Sequence, residues 1–490
     1  MKGKKLYMLL RTLDEGEFKL LGKAAVSPLM NSNQRVVALY EYLKLYYPDF
    51  ERAGLEEEEI FAHLFPEEKY NDYKLRRVLS ALSRLVMDFL AYLESRREEE
   101  EMPLLLIRAL GRRNLFALFE KHSMALLEEL ERSPYRDQAY YKRKTEVFSN
   151  YYFHPFTDKR TIASERLQEL VHDLDYRYAL EMYRLGNELR NRERIFSERY
   201  QLSGIDAMAS QYGDGILSEN AIFRTYRSLL NAFQDEDNPA LFRELKHNFI
   251  THVGEMRKED RNLLFQQLLN YVIRRINQGD STYYGEALGL YKMGLESGML
   301  VNNGRISEAT FSNIVMVSCE EGDYNWAESF IRHYEAFLDE ESREDTKAHC
   351  YSLWHYFQGQ YDEASQILAS HRFSGVFQPS SRMTAIRILF EQFFDDESYL
   401  GLLLSQVKAF EKFLSRDRYL SEDRKQLHKN TLALIRRIAS AIARKGPLEE
   451  IGEWALAEID SGQAFLLRNW LRKKMLQLSA DTGKMPGVTR

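Results

Sequence analysis

No stretch of this 490-residue chain alternates apolar and polar residues with β-branched side chains over the length of a strand. Leu, Glu, Arg, Lys and Ala recur instead at the three- and four-residue spacing of a helix face. Only ten prolines interrupt that pattern. The chain is therefore expected to be all-α. With 44% apolar residues it can bury a large core, and 30 Tyr and 28 Phe supply flat rings to fill gaps between packed helices. No run approaches eighteen consecutive apolar residues, so no membrane span is expected.

The breaks in the pattern suggest an organisation. Short helices are predicted in LYMLLRTL and GEFKLLGKAAV, then in NQRVVALYEYLKLYY and LEEEEIFAHLF. Asn71 or Asp72 should cap a long helix running to Arg97. The charge run EEEEMP at 98–103 marks a boundary, giving a helical N-terminal domain over 1–101. A helical-repeat region is expected over 104–279, with one or two long helices between 159 and 199. A second set of repeats should span 280–478, followed by a flexible tail over 479–490.

The second set carries a pattern. Tyr284, Tyr324 and Tyr361 each begin a Tyr-x-x-Ala, 40 and 37 residues apart. A large residue, Tyr291, Ile331 or Leu368, follows each Ala by four positions. Gly322 and Gly359 stand two residues before the last two tyrosines. Each part has a mechanical use: Gly allows a tight turn between antiparallel helices, Tyr wedges into the next pair, and Ala permits close approach. Residues 270–371 thus resemble the second-helix signature of tetratricopeptide repeats, whose period is roughly 34 residues. The first-helix Trp-x-x-Leu-Gly hallmark is absent. The resemblance implies an α-α superhelix, a solenoid that follows the N-terminal domain and offers a surface to a protein or peptide partner. Over most of its length the chain is also similar to helical proteins of Bacteroidota that bring no assigned activity with them.

Motifs of chemistry are sparse. Gly16–Lys23 has one residue too many for a phosphate-binding loop and Ala24 where Ser or Thr is needed. Cys319, His333, His349, Cys350 and His355 lie close in sequence but without metal-ligand spacing. Neither cysteine has a nucleophile motif around it, and both fall in apolar helix patterns where a thiol acts as a small hydrophobe. No catalytic residue, cofactor or metal is expected. Two cysteines make no disulfide framework. The N-terminal apolar run is too short for a signal-peptide core, so a reduced, cytoplasmic protein is expected.

The net charge of −6 gives no general attraction to nucleic acid. Two stretches carry enough local positive charge to reach a phosphate backbone. In residues 140–160, Lys142, Arg143, Lys144, Lys159 and Arg160 interleave with Tyr, Phe and His. That is the composition of a stacking platform, and more commonly of a half-buried helix with a wet basic face. In residues 64–85, Leu64-Phe65-Pro66, Leu75-Arg76, Leu79-Ser80 and Leu82 resemble the turn and recognition helix of bacterial antibiotic-pathway regulators with a winged helix. That family follows its DNA-binding domain with tetratricopeptide-like repeats. A wing requires a hairpin after Leu85, where this chain keeps a helical pattern through Val86, Phe89 and Leu93.

The expected function is a non-enzymatic scaffold or adaptor, with polar first-helix positions such as Asn313 and His349 touching the partner. The alternative is a DNA-binding transcriptional regulator with a solenoid sensor, in which Lys74, Arg76, Arg77 and Arg84 contact phosphates or base edges. A hairpin after Leu85 favours the regulator, and a continuous helix favours the scaffold.

Overall fold

The computed structural model describes residues 4–50, 55–97, 101–196, 199–201, 203–212, 219–375, 377–417 and 420–480. Among these residues there are 23 α-helices and no strand. The expected tail beyond residue 480 lies outside the described residues. By compactness the chain divides into two units, Met1–Ser133 with Tyr140–Leu174, and Pro134–Ala139 with Asp175–Arg490. The boundaries expected near 102 and 280 lie inside these units. No described helix is long and apolar enough to cross a membrane.

The first unit begins with α1 (Lys4–Arg11), α2 (Glu15–Val26), α3 (Gln34–Lys44), α4 (Glu57–Leu64) and α5 (Asp72–Arg97). Asp14 and Glu17 form a reciprocal capping box at the start of α2. The Asn71 side chain accepts the Lys74 backbone N–H at the start of α5. Along α5, Leu75, Val78, Leu79, Leu82, Leu85, Val86 and Phe89 fall on one stripe and are all buried. They join Leu21, Leu39, Leu43 and Phe61 from the shorter helices in a single core.

The unit continues with α6 (Glu101–Arg112), α7 (Phe116–Arg132), most of α8 (Gln138–Tyr152) and the start of α9 (Ser164–Phe196), whose residues from Asp175 on belong to the second unit. Pro103, expected to close a charge run, lies in the first turn of α6. A proline is at home there because its missing N–H would have no partner in the helix. The segment between 159 and 199 is dominated by one helix, α9, of 33 residues.

The second unit contains α10 (Ser203–Tyr212), α11 (Ala221–Gln234), α12 (Pro239–His252), α13 (Lys258–Gln278), α14 (Tyr283–Glu296), α15 (Glu308–Glu320) and α16 (Tyr324–Tyr334). It goes on with α17 (Arg343–Phe357), α18 (Tyr361–Ser370), α19 (Phe377–Asp395), α20 (Leu400–Arg416), α21 (Glu422–Ala443), α22 (Leu448–Asp460) and α23 (Arg468–Ala480). Helices pack in consecutive pairs: α13 with α14, α15 with α16, α17 with α18, and α19 with α20. First helices also pack on one another, α15 on α17 and α17 on α19.

The recurring motif builds the turns of these pairs. Gly322 has φ 78° and Gly359 has φ 74°, left-handed values that suit glycine. Past each glycine the next N–H returns to a carbonyl five residues back, Asp323 to Ser318 and Gln360 to His355. Gly279, at φ 108°, makes the same turn after α13, with the Asp280 N–H on the Arg275 carbonyl. Three residues inserted before Tyr284 disguise it in the sequence. Ala287, Ala327 and Ala364 are fully buried. Tyr324 donates its hydroxyl to the Phe357 carbonyl, and Trp354 returns its indole N–H to the Tyr324 carbonyl.

A buried carboxylate ties three helices of the second unit together. Glu391 of α19 is 6% exposed. It accepts the Tyr356 hydroxyl from α17 at 2.9 Å and the Trp470 indole N–H from α23 at 2.9 Å, and it pairs with Lys474. Arg387, one turn before it, has its guanidinium 4.4 Å from the Tyr356 ring centroid and 5.2 Å from that of Trp470. Asn469 carries α23 further, donating to the Ile276 carbonyl at the end of α13.

Two stability measurements follow from this packing, and Trp fluorescence suits both because all four tryptophans lie in the second unit. Glu391→Leu should cost about 3 kcal/mol in urea unfolding, since it strands two buried donors and a part-buried ammonium. A loss below about 1 kcal/mol would mean that the network contributes little. Gly359→Ala should cost only about 1 kcal/mol, because its Cβ would meet open space and the strain is confined to the backbone.

Candidate functional site

The interleaved basic and aromatic stretch folds as α8 and the turn after it. Its rings are mostly structural: Tyr140, Tyr141 and Tyr151 are buried, and His154 packs 4.5 Å from Phe119. Lys159 lies 5.4 Å from the Tyr152 ring centroid, and Arg160 makes two hydrogen bonds to Asp158, at 2.9 and 3.0 Å. Lys144 departs from the expected wet face. It is 17% exposed and reaches Glu131 of α7 at 3.0 Å and Asp173 of α9 at 3.1 Å.

This triad forms part of the lining of a cavity of about 650 Å³ bounded by α7, α8, α9 and the turn between the last two. Met124, Leu127, Phe148, Ile162 and Leu170 supply apolar wall. Two exposed ion pairs also line it, Arg132 with Glu128 and Arg166 with Glu169. Burial alone would lower the Lys144 pKa, but the Asp173 charge and the Glu131 hydrogen bond outweigh it and push it up to about 12. Burial raises the Asp173 carboxyl more than Lys144 lowers it. Asp173 is the deeper of the two carboxylates.

The residues singled out in the sequence lie elsewhere. α5 runs unbroken past Leu85 to Arg97, so a helix stands where a wing would begin. On it Lys74 pairs with Glu68, Arg76 sits 2.8 Å from Asp72, and Arg77 lies 5.9 Å from the Tyr73 ring centroid. Arg84 is exposed on the same helix. Asn313 is half-buried and hydrogen-bonds Tyr291. His349 is 5% exposed, its ring 5.4 Å from that of Phe377, and its Nδ1 finds no partner in the protein. It packs in the core and offers no surface to a partner. Cys319 and Cys350 are buried free thiols. Among the described residues no three His, Cys, Asp or Glu side chains gather as a metal site.

The cavity escaped sequence reading because its triad comes from three helices. The traces it leaves are the acid spacings Glu128–Glu131 and Glu169–Asp173, which put two acids on one face of α7 and two on one face of α9.

The buried histidine makes a pH prediction. Burial pushes His349 down to about 4, whereas an unfolded histidine titrates near 6.5. Between those values the unfolded chain binds the extra proton. The stability gained by keeping the ring neutral is therefore complete above pH 6.5 and is lost as pH falls towards 4, by about 3 kcal/mol. His349→Leu should flatten the acid limb of a plot of urea midpoint against pH, the carboxylates being common to both proteins. An acid limb as steep as that of the unchanged protein would refute the neutral buried ring.

Comparison with protein families, with curated proteins and with solved structures finds no match to this chain.

Proposed function

We propose that this protein is a non-enzymatic scaffold that holds a protein partner on the paired helices of its second unit. The observation that carries this reading is the repeated pair: the same left-handed glycine turn, the same buried Ala and a neighbouring Tyr recur along α13–α18. Repetition of one packing unit makes an extended surface with little demand for a cleft. It fits the tetratricopeptide-like, solenoid reading of the sequence. The contact surface is assigned to exposed positions of α16 and α18, such as Asn325, Arg332, Glu363 and Gln366, rather than to Asn313 and His349. A reducing cytoplasm suits the two buried thiols.

The regulator reading has weaker support. Its recognition helix lacks a following wing, and Lys74 and Arg76 already hold carboxylates on their own surface.

The test is affinity capture with the full chain from native lysate, with and without nuclease, followed by chemical crosslinking. The reading expects a protein partner that survives nuclease and crosslinks within residues 308–370. Loss of every partner on nuclease treatment, or crosslinks confined to α5, would overturn it.

A further inference from the structure

We propose that the cavity between α7, α8 and α9 binds a small neutral alcohol, with its apolar body against Met124, Leu127 and Phe148 and its hydroxyl on the Tyr151 oxygen. All the lining residues belong to the first unit, so the site is independent of any partner held by the second.

Three observations combine. The volume, about 650 Å³, is that of a small-molecule pocket. A cavity that takes benzene holds about 150 Å³, so this one suits a guest several times larger. Its apolar wall comes from every element that bounds it: Met124 and Leu127 of α7, Phe148 of α8, Ile162 of the turn and Leu170 of α9. The charged side chains on the wall already hold opposite charges. Arg132 pairs with Glu128, Arg166 with Glu169, and Lys144 lies between Glu131 and Asp173.

That pairing selects against an ionic ligand. Lys144 and Asp173 are largely withdrawn from water, so a charged head entering beside them would shed its hydration and compete with a contact already made. Both arginine pairs are exposed, where such contacts are worth little. An apolar body displaces nothing and gains the usual benefit of burial against the wall. Hydrogen bonding then sets the head group. Tyr151, also on the wall, donates its hydroxyl to Glu120 at 2.7 Å. Its proton is committed within the protein, and a phenolic oxygen that donates can also accept. A ligand O–H answers that acceptor, whereas an ether brings no donor.

Displacement of the neutral fluorescent probe N-phenyl-1-naphthylamine from the full-length protein tests this at neutral pH. The probe should bind one to one. 1-Octanol should displace it at lower concentration than octanoate, octylammonium or octyl methyl ether. From 1-hexanol to 1-nonanol each added methylene should tighten binding by about fourfold. Tyr151→Phe should reduce the advantage of octanol over its ether by about fivefold, the scale of one hydrogen bond. Leu127→Trp should block the probe by filling the cavity. If circular dichroism shows that Leu127→Trp does not fold, Ile162→Trp fills the same space from the turn before α9. Failure of the probe to bind, an ionic analogue binding as tightly as the alcohol, an advantage over the ether that survives Tyr151→Phe, or probe binding indifferent to both tryptophan variants would each overturn the proposal.

Discussion

A buried carboxylate needs donors, and in the second unit that requirement fixes where three helices lie. Glu391 has surrendered nearly all its contact with water. Tyr356 on α17 and Trp470 and Lys474 on α23 replace it. Each donor sits at the end of a side chain whose body is packed, so satisfying the carboxylate also sets the spacing of the helices. Arg387 belongs to the same arrangement. Its guanidinium lies against the rings of Tyr356, Phe357 and Trp470, and rings of that kind attract a cation as they exclude water. The pairs α15–α16 and α17–α18 pack through small residues and glycine turns, but the helix that returns from the far end of the chain is tied to them through charge.

The first unit treats buried charge differently. There the base is the hub, and Lys144 meets two acids where Glu391 meets one ammonium and two neutral donors. Glu391 is enclosed by the packed side chains of Tyr356 and Trp470. The Lys144 set borders open volume. That contrast, more than the presence of a buried ion, separates a structural network from a site with room for a ligand.

Much of this architecture was legible in the sequence and some was not, for physical reasons. The α5 stripe and the absence of a wing could be read from Leu75 to Leu93, because the helical period continued where a hairpin would have broken it. Gly322 and Gly359 announced their turns, since a left-handed residue two positions before a helix-starting Tyr leaves few alternatives. The Gly279 turn was hidden by an insertion that lengthens the loop and leaves the hydrogen bonds alone. His349 was misread as a polar surface position. It stands on the buried stripe of Thr346, Cys350, Leu353 and Tyr356, and position on that stripe outweighed side-chain polarity. The Lys144 triad had no local signature: 13 residues separate Glu131 from Lys144 and 29 separate Lys144 from Asp173, and tertiary packing alone brings them together.

The return of α23 has a mechanical consequence. A row of helix pairs that touch only their neighbours flexes like a coil spring, because small rotations at each junction add along its length. Here Asn469 grips the end of α13, while Trp470 and Lys474 grip α19. One helix therefore acts as a strut across the row. It spans from the pair that begins at α13 to the pair that begins at α19, and stretching the row would have to break buried contacts at one end of the strut or the other. Movement of the intervening pairs against one another is thus restrained at both grips.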